Sequence, residues 1–192
     1  MPKIGMEPIR RASLIKATIA EIGNVGSLEV TVSRIAKRAG MSSALAHHYF
    51  GSKEAMFLAT MRHVLTVYGA EVRGALALAD TPEARARAVI RASFSPANFR
   101  REVVAAWLNF YVLAQTQPEA RRLLNVYQRR LVSNLTHALR PRLGARAPAV
   151  AGSIAALIDG AYLHAALGPE SPDAAQATER VEDYLTLALR ER

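Results

Sequence analysis

The 192-residue chain contains no cysteine. That excludes a disulfide framework, a cysteine-ligated zinc site and thiol catalysis, and it suits a reducing compartment. Aromatic residues make up only 6% of the chain, and with alanine abundant the balance favours helix over sheet. His47 and His48 are adjacent, so they cannot share a helical face as a metal pair at i, i+4 does. No Ser-His-Asp order, phosphate loop or dinucleotide fingerprint is present. Asp159 and His164 lie five apart and align poorly for one catalytic site, so neither an enzyme nor a bound metal or cofactor is expected. The opening MPKIGMEPIRR has no apolar h-region, and no signal peptide is expected. The longest apolar stretch, Ala147 to Gly168, is broken by Asp159 and His164. A charge near a bilayer centre costs about 2.5–3.5 kcal/mol, so a buried interface helix in a cytoplasmic protein, without a membrane partner, is the expectation.

What is present is a basic, helical chain. Apolar residues make up 51%, enough for a real core and two small domains. The net charge of +9 is unevenly spread: residues 1–53 hold eight Lys/Arg against three Asp/Glu, the rest 17 against 13. A basic head on a nearly balanced body points to a polyanion at one end.

The segment from Thr31 to Lys53 carries most of the information. Thr31 is an N-cap candidate, and Val32, Ile35, Ala36 and Ala39 give a short helix one buried stripe. Gly40 ends it, since a residue after a helix commonly needs the left-handed conformation. Ser42 opens a second short helix in which Leu45 packs inward and His47, His48 and Tyr49 project. Gly51 stops it and Ser52 caps a third. Two short helices about a tight turn form a helix-turn-helix, which places its second helix in the major groove of double-stranded DNA.

Elsewhere, helix starts are punctuated by Pro82, Pro118, Pro148 and Pro172, three of them followed by an acid that suits the helix dipole. A first helix begins near Pro8, buries Leu14, Ile15, Ile19 and Ile22, and ends at Gly23 and Gly26. A long helix runs from Ser52 towards Leu78 with Met56, Phe57, Thr60, Val64 and Val67 inward, joining head to body as a rod. Body helices are expected over 82–94, 99–116, 118–142, 148–167 and 172–190. The fold class is all-α: a three-helix DNA-binding head over 1–52 and a helical effector-binding and dimerisation body over 53–192. Small residues on 148–167, Ala155, Ala156, Gly160, Ala161, Ala165 and Ala166, allow close helix approach. With 118–142 they form the expected homodimer surface, an intramolecular core being the alternative.

The first three helices with HHYFGSKEAMF resemble the head of the TetR family of bacterial repressors. The resemblance extends over nearly the whole chain to the choline-responsive BetI type, which controls glycine-betaine synthesis genes. It is carried by PKIGMEPIRR, by Arg129-Arg130-Leu131-Val132-Ser133-Asn134-Leu135 and by Ala155-Ala156-Leu157-Ile158-Asp159-Gly160. It implies a dimeric repressor on a palindromic operator. Thr31, Tyr49 and Lys53 then touch phosphate, with Arg34 either at phosphate or simply solvated. Ser42, Ser43, Ala44 and His47 read base edges, and His48 lies beside them. Lys3, Arg10 and Arg11 form a mobile basic arm for the minor groove or backbone. Tyr49 has packing on the third helix as its alternative, and one of the two histidines has plain solvation; Phe50 belongs to the core.

Trp107, Phe110 and Tyr111 stand at i, i+3 and i+4, with Tyr127 and Tyr162 on neighbouring helices. Such rings are either core or an aromatic cage for a quaternary ammonium, held by about 0.5–2 kcal/mol per ring. Asp159, or less favourably Glu102, balances the cation; Asp159 bonding a partner helix is the alternative. The resemblance favours a cage for a choline-like cation, in a pocket among 82–94, 99–116 and 148–167. Another small hydrophobic or cationic effector on an unrelated operon remains open, as does a constitutive adaptor with a solid body.

Overall fold

The computed structural model describes residues 5–190. It is built of helices joined by short turns, with no strand among the described residues. α1 (Met6–Val25) turns Leu14, Ala17, Thr18, Ile19 and Ile22 inward and ends at Gly26, whose φ of 74° is left-handed. Gly23, expected from the sequence to end this helix together with Gly26, instead lies inside it, where another helix comes close. α2 (Val32–Arg38) and α3 (Ser43–Phe50) follow, capped as the sequence indicates. The Thr31 hydroxyl accepts from Arg34 N at 3.2 Å and the Ser42 hydroxyl from Leu45 N at 3.2 Å. In α3 the fully buried residue is Ala46, while Leu45 and Phe50 are half-buried.

α4 (Lys53–Ala77) starts under the Ser52 cap, whose hydroxyl accepts from Ala55 N at 3.1 Å, and runs from head into body as one rod. α5 (Pro82–Ser93) has Thr81 as cap and Pro82 in its first turn. α6 (Arg101–Thr116), α7 (Pro118–Leu143), α8 (Ala147–Leu167) and α9 (Ala174–Arg190) complete the body. Pro172 falls before α9 rather than in its first turn: the Asp173 carboxylate takes the cap and accepts from Gln176 N at 2.9 Å. Glu182 of α9 binds Arg87 Nη1 at 2.9 Å and Arg91 Nε at 2.7 Å, tying α9 to α5.

One buried core runs from Leu14, Ile35 and Ala46 in the head through Ile90 and Phe110 to Leu135, Ile158 and Leu185. Head and body therefore meet at more than the α4 rod. α1 packs directly on α6, and a Cβ on Gly23 would stand 2.8 Å from the Glu102 Cα. The stretch containing α8 is long and apolar enough to cross a membrane by length and composition. Here its Val150, Ile154, Ile158 and Tyr162 face is buried in the protein.

Candidate nucleic-acid interface and effector site

α3 presents Ser42, Ala44, His47 and His48 to solvent, with Ser43 and Tyr49 half-buried. These residues form one free face at the surface of the head, as a recognition helix requires. The Ser42 and Thr31 oxygens serve as caps, but each hydroxyl keeps a hydrogen to donate. The His47 ring lies with Nδ1 3.2 Å from Gly51 O, which fixes its orientation. Lys53 stands in the first turn of α4, its Nζ 5.6 Å from the Phe57 ring centroid.

Two expectations change. Lys3 lies outside the described residues, but Arg10 and Arg11 belong to α1 and are not a mobile arm. Arg10 Nη1 donates to the Tyr49 hydroxyl at 3.3 Å. Arg11 pairs with Glu7 at 2.8 Å and sits over the Tyr49 and Phe50 rings, 5.6 and 5.2 Å from their centroids. Their helical register holds them against the end of α3, so any phosphate they touch is approached from a fixed position. Arg34, in turn, is not simply solvated: its Nε lies 3.1 Å from Glu21 Oε2, and Arg38 binds the other carboxylate oxygen. Glu21 is only 4% exposed. The Arg38 hydrogen bond, helped by Arg34, holds its carboxyl below the usual range although burial opposes this. This buried acid latches α2 to α1 and was missed in the sequence, where a lone glutamate in an amphipathic helix carries no signal.

In the body, the five aromatic candidates do come together. The Trp107 ring lies 5.9 Å from Phe110, 5.8 Å from Tyr111, 4.6 Å from Tyr127 and 6.0 Å from Tyr162, centroid to centroid. Tyr111 donates to Asp159 Oδ1 at 2.9 Å. Burial raises the Asp159 pKa, against hydrogen bonds from Tyr111 and Gln128 that lower it. Burial likewise pushes up Tyr111, Tyr127 and Tyr162, with the Asp159 charge adding to each. The cluster is closed: Trp107 is 4% exposed, and the expected pocket among α5, α6 and α8 is filled by rings. The larger opening, about 690 Å³, lies instead between α4 and α7, with Tyr68 and Tyr127 in its wall.

Further members of the cluster escaped the sequence reading. Tyr68 stacks edge-on against Tyr127 at 5.5 Å, and burial raises its pKa to about 12. Phe94 and Phe99 pack on Tyr162. The Tyr162 hydroxyl donates to the carbonyls of Ser93 and Asn98, at 2.6 and 3.2 Å. Asn98 and Ser95 both donate to Glu71 of α4. A chain of contacts thus runs from the aromatic cluster, through the turn between α5 and α6, to the helix that carries the head. A second runs along α6 itself, where Asn109 Nδ2 donates to Gly26 O at 3.2 Å at the end of α1. Glu102, the other candidate counter-ion, packs instead on Gly23 of α1.

On α8, Ser153, Ala156, Leu157, Leu163, His164 and Leu167 are exposed. Their spacing of three and four puts them on one face around Gly160, opposite the buried one. Ala155, Ala161, Ala165 and Ala166 are buried or half-buried within the chain, so leucines rather than these alanines dominate the free surface. The exposed side of α7 is mostly polar, with Arg122, Arg129, Arg130 and Arg140 beside Val126.

A capped helix-turn-helix on a three-helix head, coupled to a helical body with a buried aromatic site, defines a DNA-binding regulator of the one-component kind. Residues 14–60 match the family of bacterial regulatory proteins, tetR family, and residues 82–190 match the BetI-type transcriptional repressor, C-terminal domain. The chain is 52% identical over 190 residues to the HTH-type transcriptional regulator BetI of Brucella suis, covering 98% of this chain and 96% of that protein. It is 46% identical to BetI of Agrobacterium fabrum, covering 99% and 93%. Among solved structures, a putative transcriptional regulator from Pseudomonas aeruginosa superimposes with a TM-score of 0.77 at 26% identity, covering 96% and 92%. One from Saccharomonospora viridis, in complex with choline, shares the fold at 18% identity and a TM-score of 0.78, covering 92% and 95%. The chain belongs to the TetR family and carries a BetI-type C-terminal domain. It is a helix-turn-helix transcriptional repressor and not an enzyme; regulators of this family bind operator DNA, respond to small molecules and act as dimers.

Proposed function

We propose that this repressor occupies a palindromic operator as a cytoplasmic homodimer and is released by a choline-like cation, controlling glycine-betaine synthesis. The observation that carries the cation is the cluster of Trp107, Tyr111, Tyr127 and Tyr162 with Asp159 hydrogen-bonded at its edge. Ring faces and a carboxylate are the chemistry that attracts a quaternary ammonium. In the DNA assignment, Thr31, Tyr49 and Lys53, with Arg10 and Arg11 beside them, hold phosphate. Ser42, Ser43, Ala44, His47 and His48 meet base edges. Arg34 serves the Glu21 latch first and reaches phosphate only through the nitrogens that latch leaves free.

The closed cage supplies the switch. Trp107 and Tyr127 centroids 4.6 Å apart leave no room for a trimethylammonium group, so a bound cation must part α6 from α7. Movement of α6 is felt directly by α1 at Gly23, and movement of Tyr162 by α4 through Asn98 and Glu71. Both shift the heads, whose recognition helices must sit about 34 Å apart to meet successive major grooves. The ligand therefore favours the spread form, and linkage requires DNA to oppose it. The dimer forms across the exposed leucine face of α8, with α7 at its margin.

The test is fluorescence anisotropy on DNA from upstream of the protein's own gene, at fixed salt, with and without millimolar choline. Trp107 is the chain's single tryptophan, so its emission comes from the cage. Choline should change that emission and abolish specific binding over the same concentration range. Unchanged operator affinity at a saturating choline concentration would reject the effector.

A further inference from the structure

The opening between α4 and α7 has about 690 Å³ of space, within the range of sites that hold drug-sized ligands. A molecule as small as choline would leave most of it empty. Its aliphatic wall is formed by Leu65, Val72 and Leu76 from α4 and by Leu123 and Val126 from α7. Its charge is of one sign: Arg62, Arg73 and Arg130 line it, with no acidic residue among its lining. None of these guanidiniums is paired with a carboxylate among the described residues. Arg73 is folded back over its own helix, its Nη1 3.3 Å from where a Cβ on Gly69 would stand. Glycine inside a helix costs about 1 kcal/mol relative to alanine, and here it leaves room for that guanidinium above the groove. Uncompensated positive charge repels the cation assigned to the aromatic cluster and attracts an anion.

We propose that the α4–α7 groove binds an amphipathic carboxylate, an acyl-chain acid with its head group on the arginines and its chain along the aliphatic wall. The ligand class is opposite in charge to the choline-like cation, and its charged partners are different residues. Tyr127 is shared, forming groove wall on one side and Trp107 contact on the other. A chain lying in the groove therefore touches the same ring that the cation displaces, and Trp107 emission reports it as well.

The experiment is a titration of the full-length protein with dodecanoate, its methyl ester and dodecyltrimethylammonium, each below its micelle concentration, by calorimetry and Trp107 emission. Dodecanoate should bind about tenfold or more tighter than either other probe. The Arg62→Ala/Arg130→Ala double variant should lose that preference. Gly69→Leu, whose Cβ would meet only the far end of the Arg73 side chain at 3.3 Å, should melt as a folded protein and weaken dodecanoate by filling the groove. A cation bound as tightly as the acid overturns the proposal, as does a preference that survives the double variant or dodecanoate affinity unchanged in Gly69→Leu. Choline-dependent DNA release is measured separately on the wild type, so failure of the acid leaves the cation reading standing, and the reverse.

Discussion

Gly23→Ala places one methyl group at the junction of head and body. A Cβ there would stand 2.6 Å from Glu102 Cγ, 2.7 Å from its Cβ and 2.8 Å from its Cα. Because the last is backbone, rotating the Glu102 side chain cannot relieve the contact, and α1 must move away from α6. The alanine gains about 1 kcal/mol of helix propensity, and overpacking costs about 1–3 kcal/mol. The net destabilisation is therefore about 0–2 kcal/mol, a fall in melting temperature of up to about 8 °C for a chain of this size. Function should suffer more than stability. The displaced α1 carries Arg10 and Arg11 against the end of α3, so the recognition helices lose their spacing, and operator affinity should drop about tenfold, equivalent to 1.4 kcal/mol. Gly74→Ala is the control, since a Cβ there meets nothing within 4 Å; it should gain about 1 kcal/mol and bind DNA normally. Thermal melts and operator titrations on both variants decide the matter. A Gly23→Ala protein that melts higher than wild type and binds with wild-type affinity would show the α1–α6 junction to be slack, and the coupling argument would fail.

Lys53→Ala should weaken binding to every DNA sequence and flatten the salt dependence by about one unit of log–log slope; an unchanged slope removes Lys53 from the phosphate set. Asp159→Asn keeps an acceptor for the Tyr111 hydroxyl while removing a buried charge, so the melting temperature should hold or rise while choline response is lost. Because burial raises the Asp159 pKa, the same response in wild type should fade as pH falls through that raised value, where the carboxyl becomes neutral. Glu21 is the opposite case: its folded pKa is lowered, so its contribution is present above the unfolded carboxylate pKa and disappears as pH falls through the folded one. Glu21→Gln should cost about 1.5 kcal/mol, the low end for hydrogen bonds to charged groups because both arginines face solvent, and should remove that part of the acid limb in a melt series.

The helix-turn-helix was legible because its signals are local. Thr31, Ser42 and Ser52 cap the backbone a few residues away, and Gly40 and Gly51 take left-handed conformations, with φ of 67° and 76°, that side chains resist. Helix starts at Pro82 and Pro118 follow from the same short-range rules, as does the i, i+3, i+4 stripe of Trp107, Phe110 and Tyr111. Tertiary structure decided whatever depends on distant partners. Gly23 reads as a helix stop until α6 is seen against it. Arg10 and Arg11 read as a loose arm until Tyr49 and Phe50 are found beneath them, and Glu21 carries no sign of its two arginines. Whether the aromatic cluster stood open or closed, and where empty space lay, depended on how α4, α6 and α7 diverge. Periodicity shows which face of a helix is buried, but the separation of two helices is set by side chains from both, far apart in the chain. The residues of the head were thus written in the sequence; the closed cage, the α1–α6 contact and the arginine-lined groove came into being only when the helices packed.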